Sequence, residues 1–516
     1  LRLPRFILVI VAYINWANVF ASDAKVVMAG TLNLESNNYS QYLAEKSYSK
    51  VDMNNNYGQK LQISKVIDYP VSKLYKYYVN KICDGIYIAN CIYNKNNIKT
   101  NLGIDLSSES SGLIASGIHS VSGYRLDYTT VDVAGKSRIV SGAVLVPETD
   151  QPLKGVVLFY HYTILDKNNF PSNFNGDDFQ LSHLMASTIA ADGYIVLMPD
   201  YLGFGADQNN VHPYILYPEE NALSGLYMLK PVESMLMQYS FKQKQNKIPL
   251  FLSGYSEGGA YSLWAAKIYQ DNMGYFEQLG YNLEKTVPIL GAYNMSKVTW
   301  NYVLKSQSND HQAPDYIENS WVTDFLKPGL YANAVHSYQH YESGQLDYLS
   351  FNNKFASCNG CIYNGKQYSL SDWIEYSPAK DTPKYGYIQN ASKAAGYGQD
   401  GGNAVGMLTN ESFISDKRLS AKLKAADIYN WQATTPVSFL MLEYDSVVPR
   451  LNSETAYIGL TRKNSSYVKI TKIPNQDFKV RGYLLWSDIN VDHPQGVSFM
   501  LLFARNEFAE SINAYN

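Results

Sequence analysis

Apolar positions along the chain fall into two regimes. From 22 to about 118 the chain is polar and rich in Asn, Tyr, Ser and Lys; 71–81 has a helical pattern and 107–122 reads as loop. From about 122 onward, apolar residues alternate or gather in short runs. Period-two alternation over 124–133, followed by the runs 138–146 and 155–160, predicts strands. Helix is predicted over 178–192, strand over 194–198, helix over 219–240, strand over 248–252, helix over 259–271 and strand over 286–292. Helix alternating with strand predicts a mostly parallel sheet flanked by helices, an α/β architecture. The pattern breaks between about 295 and 430, where aromatic, Pro and Gly clusters surround helical pieces at 299–305 and 420–428 and a low-complexity stretch at 396–402. It resumes with a strand at 437–442, a helix at 452–460, a strand at 467–473 and a helix from about 497. The resulting division is a leader (1–21), an N-terminal extension (22–121), a core in two parts (122–294 and 431–516) and a cap or lid insertion (295–430) that shapes a pocket.

The junction at 253–259 carries the chemistry. Ser253-Gly254-Tyr255-Ser256-Glu257-Gly258-Gly259 follows the apolar run Ile248-Pro249-Leu250-Phe251-Leu252 and precedes a helical stretch. G-x-S-x-G between strand and helix is the setting of a nucleophile elbow, which raises the Ser256 hydroxyl to the top of a sheet. It also aims the N–H of Glu257 at a developing oxyanion. A serine hydroxyl needs a neutral imidazole to take its proton and a carboxylate to orient that imidazole. Of the eight histidines, only His493 lies downstream of the strand-and-loop segment Pro436-Val437-Ser438-Phe439-Leu440-Met441-Leu442-Glu443-Tyr444-Asp445. The order Ser256, Asp445, His493 is that expected of an α/β-hydrolase triad. Other carboxylates nearby are Glu443, Asp477, Asp488 and Asp492; Asp492 adjoins His493, so its side chain is expected to point elsewhere.

From about residue 122 to the end, the chain resembles the secreted α/β-hydrolases that include the fungal secretory lipases and related bacterial esterases. The resemblance rests on Ser141-Gly142-Ala143-Val144-Leu145-Val146-Pro147, His161-Tyr162-Thr163, Pro199-Asp200-Tyr201-Leu202-Gly203-Phe204-Gly205, His212-Pro213-Tyr214, the elbow, Gly291-Ala292-Tyr293-Asn294 and Asp445-x-Val447-Val448-Pro449. It implies the Thr163 N–H as second oxyanion donor, with Tyr162 as the alternative because a tyrosine replaces the family's usual glycine. The turn before Asp445 also lacks the usual glycine. Asp200 reads as a tie for the Gly203-Phe204-Gly205 turn, His212 as structural or cleft-lining, and His161 as a support of the oxyanion loop rather than the proton acceptor.

Composition narrows the class. A net charge of -3, with no basic patch and no P-loop, gives no reason to expect nucleic acid or an anionic membrane surface. The pair His336 and His340 brackets no glutamate, so no metal site and no cofactor is expected. The 45 tyrosines fit either AT-rich coding, the preferred reading, or aromatic surfaces. Arg2 and Arg5, the apolar run 6–14 and Val19-Phe20-Ala21 read as a secretory signal cleaved after Ala21, with Asn15 and Asn18 breaking the run short of a membrane span. Four cysteines fit an oxidising compartment; Cys83–Cys91 and Cys358–Cys361 are the favoured disulfides among three connectivities. The expectation is a secreted serine hydrolase, esterase or lipase, acting on a small-molecule or lipid ester. A serine peptidase of the same fold and a catalytically dead binding protein are the alternatives.

Overall fold

The computed structural model describes residues 25–28, 39–77, 114–164, 168–174, 181–242, 247–304, 327–342, 362–363, 366–367, 416–475, 478–480, 483–486 and 491–513, apart from single positions within these spans. The leader, Cys83, Cys91, Cys358 and Cys361 lie outside the described residues. In chain order the elements are β1 (Lys25–Met28), β2 (Lys60–Pro70), β3 (Ile118–Val131), β4 (Ser137–Thr149), β5 (Gly155–Tyr160), α1 (Leu181–Thr188), β6 (Tyr194–Pro199), α2 (Pro218–Tyr227), α3 (Leu229–Leu236), β7 (Ile248–Tyr255), α4 (Glu257–Asp271), α5 (Met273–Gln278) and β8 (Tyr281–Ile289). After these come α6 (Trp300–Leu304), α7 (Lys327–Glu342), β9 (Ile362–Tyr363), β10 (Lys366–Gln367), α8 (Lys417–Ala426), β11 (Val437–Leu442), α9 (Leu451–Arg462), β12 (Val468–Ile473), β13 (Phe478–Val480), β14 (Tyr483–Trp486) and α10 (His493–Asn513).

Ten strands form one sheet in the order β1-β12-β11-β8-β7-β5-β6-β4-β3-β2. The run from β12 to β6 is parallel throughout, and β4, β3 and β2 continue it antiparallel. Parallel strands are covered on both faces, so they read as unbroken apolar runs; every residue of β5, β6 and β11 is buried. Burying a Leu or Phe side chain is worth about 1.5–3 kcal/mol. Leu250, Phe251 and Leu252 of β7 are fully buried, which anchors that strand firmly enough to carry a strained residue at its end.

The predicted elements appear with shifted limits, each for a local reason. The helix expected at 178–192 stops at Thr188 and gives way to a single tight turn, Ala190–Asp192, closed by Gly193 at φ 98°. The helix expected at 219–240 is two helices. Pro231 has no N–H for the Tyr227 carbonyl, so the first ladder cannot continue through it. β8 starts earlier than expected and ends before Leu290, which sits at φ 49°. The last helix begins at His493 rather than near 497.

Part of the polar N-terminal region belongs to the sheet. β2 pairs with β3 at one edge, and β1 pairs with β12 at the other. Between them, residues 39–57 run across the body, tied by Tyr39 Oη to Glu454 Oε2 (3.0 Å), Ala44 N to Tyr429 Oη (3.2 Å) and Met53 N to Asn272 Oδ1 (3.0 Å).

Candidate active site

Ser256 stands alone between β7 and α4, at φ 58° and ψ −119°. A non-glycine residue in such a region costs roughly 1–3 kcal/mol and persists only where its surroundings over-determine it. Here Ser256 N donates to the Ile289 carbonyl at 2.9 Å, and the Ser256 carbonyl accepts from Gly259 N at 2.9 Å. The turn is also crowded. A Cβ on Gly258 would strike the Tyr160 carbonyl, and one on Gly254 would strike the Gly258 carbonyl. Glycine at these two positions therefore lets the first turn of α4 lie against the end of β5, which leads directly into His161-Tyr162-Thr163.

On one side of this turn, His493 Nδ1 lies 2.7 Å from Asp445 Oδ2. Asp445 follows β11, and its other oxygen accepts from Val447 N and Val448 N at 2.9 and 2.8 Å. Burial pushes its carboxyl above the ordinary carboxylate range, although the adjoining His493 pulls the other way. A carboxylate on Nδ1 fixes the tautomer with its proton there and leaves Nε2 as the acceptor. His493 Nε2 is buried and makes no hydrogen bond. Tyr255, the residue before Ser256, donates its hydroxyl to the His493 carbonyl at 2.6 Å, with the two rings 5.3 Å apart.

Two further residues hold this pair, and the sequence reading gave neither a role. Asn475 Nδ2 donates to the carbonyls of Tyr444 and Val491, each at 2.7 Å, and its Oδ1 accepts from Tyr444 N at 2.7 Å. Asp492 points away from the imidazole, as expected, but it is not idle. It accepts from Ser446 N (3.0 Å), Ser446 Oγ and His493 N (2.7 Å). The loop of Asp445 and the start of α10 are thus bound together on both sides. Loop residues separated by tens of positions leave no periodic trace of such bonds in a sequence.

On the other side of the turn, the Glu257 side chain leaves the surface. Its Oε1 accepts from Tyr261 Oη at 2.6 Å and faces His212 Nε2 at 2.8 Å. Burial opposes ionisation of Glu257, but His212 and the Tyr261 hydroxyl outweigh it and hold the carboxyl below its ordinary value. This leaves the Glu257 N–H at the start of α4, where helix geometry leaves it unpaired within the helix. His161 Nδ1 donates to the Tyr162 carbonyl at 2.7 Å. That carbonyl belongs to the same planar peptide as the Thr163 N–H, so fixing one end aims the other the opposite way. Burial lowers His161 to about 4, so it stays neutral under ordinary conditions. Its carbonyl accepts from Tyr201 Oη at 3.0 Å. His161 is therefore a support of the loop.

Asp200 accepts from Ser141 Oγ (2.5 Å), Ser172 Oγ (2.5 Å) and Ser172 N (2.8 Å), and Ser141 Oγ accepts in turn from Ala206 N. It ties down the turn after β6. Among the described residues, no group of His, Cys, Asp and Glu is arranged to hold a metal ion. The side chain of His336 is not among those described.

The sheet order, the elbow after β7 and the loops after β5 and β11 define an α/β-hydrolase fold. The secretory lipase family model matches residues 168–287. No curated protein sequence matches the chain. Among solved structures, the rice cell wall degrading esterase LipA from Xanthomonas oryzae is 17% identical, with a TM-score of 0.59 over 88% of this chain and 98% of that one. A candidate hydrolase of Legionella pneumophila is 18% identical, with a TM-score of 0.55 over 88% and 98%. The chain is thus similar to the α/β-hydrolases of the secretory-lipase and bacterial-esterase type.

Proposed function

We propose that the protein is a serine hydrolase that cleaves carboxylic esters through an acyl-enzyme. The observation that carries this is a buried His493–Asp445 pair, with Nε2 unbonded, tied through Tyr255 to a strained serine elbow. Ser256 Oγ attacks the carbonyl carbon while His493 Nε2 takes the hydroxyl proton. The carbonyl oxygen becomes an oxyanion and accepts from the N–H groups of Glu257 and Thr163. The C–O bond to the alcohol then breaks, and His493 returns the proton to the leaving oxygen. Water, deprotonated by His493, attacks the acyl carbon; the bond to Ser256 Oγ breaks, His493 returns the proton to Oγ, and the acid leaves.

The match of residues 168–287 to the secretory lipase model supports an ester substrate and export from the cell. The signal-like segment 1–21 and the pairings Cys83–Cys91 and Cys358–Cys361 belong to that same reading. No helix among the described residues is long and apolar enough to cross a membrane.

The test is labelling with a fluorophosphonate, followed by turnover of p-nitrophenyl esters of graded chain length beside aminoacyl and prolyl amides. Labelling is expected at Ser256, with esters cleaved and amides left. Ser256→Ala is expected to remove both signals, with a loss on the order of a million-fold in turnover. Near-normal turnover by folded Ser256→Ala would end the proposal, and faster cleavage of amides than esters would move it to a peptidase.

A further inference from the structure

Both oxyanion donors of the proposed reaction meet one other segment, residues 211–214, between β6 and α2. Tyr214 Oη lies 3.1 Å from Thr163 Oγ1. His212 Nε2 lies 2.8 Å from Glu257 Oε1. Each donor residue is thus held by its side chain while its N–H is left for substrate.

The segment is itself held on three sides. His212 Nδ1 donates to the Leu202 carbonyl at 2.8 Å, and Asn221 Nδ2 to the Pro213 carbonyl at 2.7 Å. From the cap, Tyr341 Oη of α7 donates to the Val211 carbonyl at 2.6 Å. A Cβ on Gly203 would collide with the backbone of His212, so the turn after β6 also lies directly against it.

We infer that residues 211–214 form a clamp that sets the aim of both oxyanion N–H groups, with His212 and Tyr214 as positioning residues. The clamp rests on the ester-hydrolase reading. Its physical basis is the steep dependence of catalysis on geometry, where an error of about 1 Å costs about a hundredfold. Both ring nitrogens of His212 are taken up by protein partners, the Leu202 carbonyl and Glu257 Oε1, so neither is turned toward substrate. Glu257 is buried at the start of α4. Without His212, its carboxylate loses its compensating partner and the first helical turn must shift to relieve it. Tyr214 acts on the other donor through a single hydroxyl.

The experiment compares wild type with Tyr214→Phe, His212→Ala and His212→Gln. Active sites are counted by fluorophosphonate titration, and folding is followed by thermal unfolding. Oxyanion bonds form only in the transition state, so the effect belongs in kcat and not in KM. Tyr214→Phe and His212→Ala are each expected to lower kcat per titrated site about tenfold with KM near wild type, a fraction of the loss when a donor is removed outright. A trifluoromethyl ketone, which forms an oxyanion on Ser256, is expected to bind more weakly by the same factor. His212→Gln, which keeps a donor to Glu257, is expected to regain most of the loss.

A merely structural role lowers the number of titratable sites but leaves kcat per site and ketone affinity unchanged; that result overturns the clamp. If His212→Ala does not fold, Tyr214→Phe and His212→Gln decide in the same way. Wild type that neither labels at Ser256 nor cleaves esters would overturn the hydrolase reading and the clamp with it. Labelling and turnover with unaffected variants would overturn the clamp alone.

Discussion

His493 and Asp445 are fastened by neighbours from the C-terminal part of the chain, Asn475, Asp492 and Ser446, with Tyr255 linking them to the elbow. Thr163 and Glu257, on the opposite side of Ser256, are fastened by His161, Tyr214 and His212, and through Val211 by Tyr341 of α7. The proton-transfer side is thus built into the sheet and its last helix. The side proposed to bind the oxyanion reaches outward to α7. Proton transfer needs one fixed hydrogen-bond line, whereas oxyanion binding needs two backbone groups from different loops to agree in direction.

Breaking the proton-transfer side is expected to have the largest effect. His493→Ala and Asp445→Asn should lower kcat by factors on the order of ten thousand to a million, with KM little changed. Single-turnover kinetics on a p-nitrophenyl ester checks this. A silent Asp445→Asn would move the acid elsewhere and dissolve the comparison.

The oxyanion side should be the more acid-sensitive. Burial holds His161 at about 4 in the fold, against about 6.5 in the unfolded chain. Its folded value is depressed, so between these limits the unfolded state binds more protons and stability rises with pH. Acidification from about pH 6.5 to 4 should therefore cost up to about 3 kcal/mol from this residue, since one proton taken up only by the unfolded chain is worth about 1.4 kcal/mol over each pH unit. Urea unfolding of wild type and His161→Gln across that range should show the difference shrink as pH falls. A difference that stays constant would mean His161 charges freely in the fold.

A sharper comparison comes from Asp492. Its position beside His493 suggested a bystander, yet it joins the acid loop to the base helix. Asp492→Ala leaves Ser446 N and His493 N without an acceptor in a buried site, at a cost of about 1–3 kcal/mol. A lower melting temperature together with reduced kcat is expected. Unchanged values for both would show that Asn475 alone holds that side.

The smallest effect is expected at the cap. Tyr341→Phe removes one hydroxyl from the Val211 carbonyl, worth about 0.5–1.5 kcal/mol. A fewfold drop in kcat at constant melting temperature is the outcome that joins α7 to the oxyanion side. A change in KM alone would instead mean that Tyr341 touches substrate.

The order strand–Gly-x-Ser-x-Gly–helix, the later Asp445 and the lone downstream His493 were legible because each depends on local signals: apolar runs, glycines that permit close approach, and chain order. The parallel sheet was legible for the same reason, since strands buried on both faces must be continuously apolar. The limits of α2 and α3, by contrast, follow from Pro231 acting on the Tyr227 carbonyl, a local signal that the apolar pattern masked. Only the tertiary structure decided that β2 and β1 close the two edges of the sheet, because edge pairing draws on backbone groups that every sequence has. It also decided that His212, Tyr214, Asn475 and Asp492 converge on the site. A hydrogen bond between loops depends on where two distant backbones are carried, and that is fixed by the packing of the whole sheet rather than by the residues at either end.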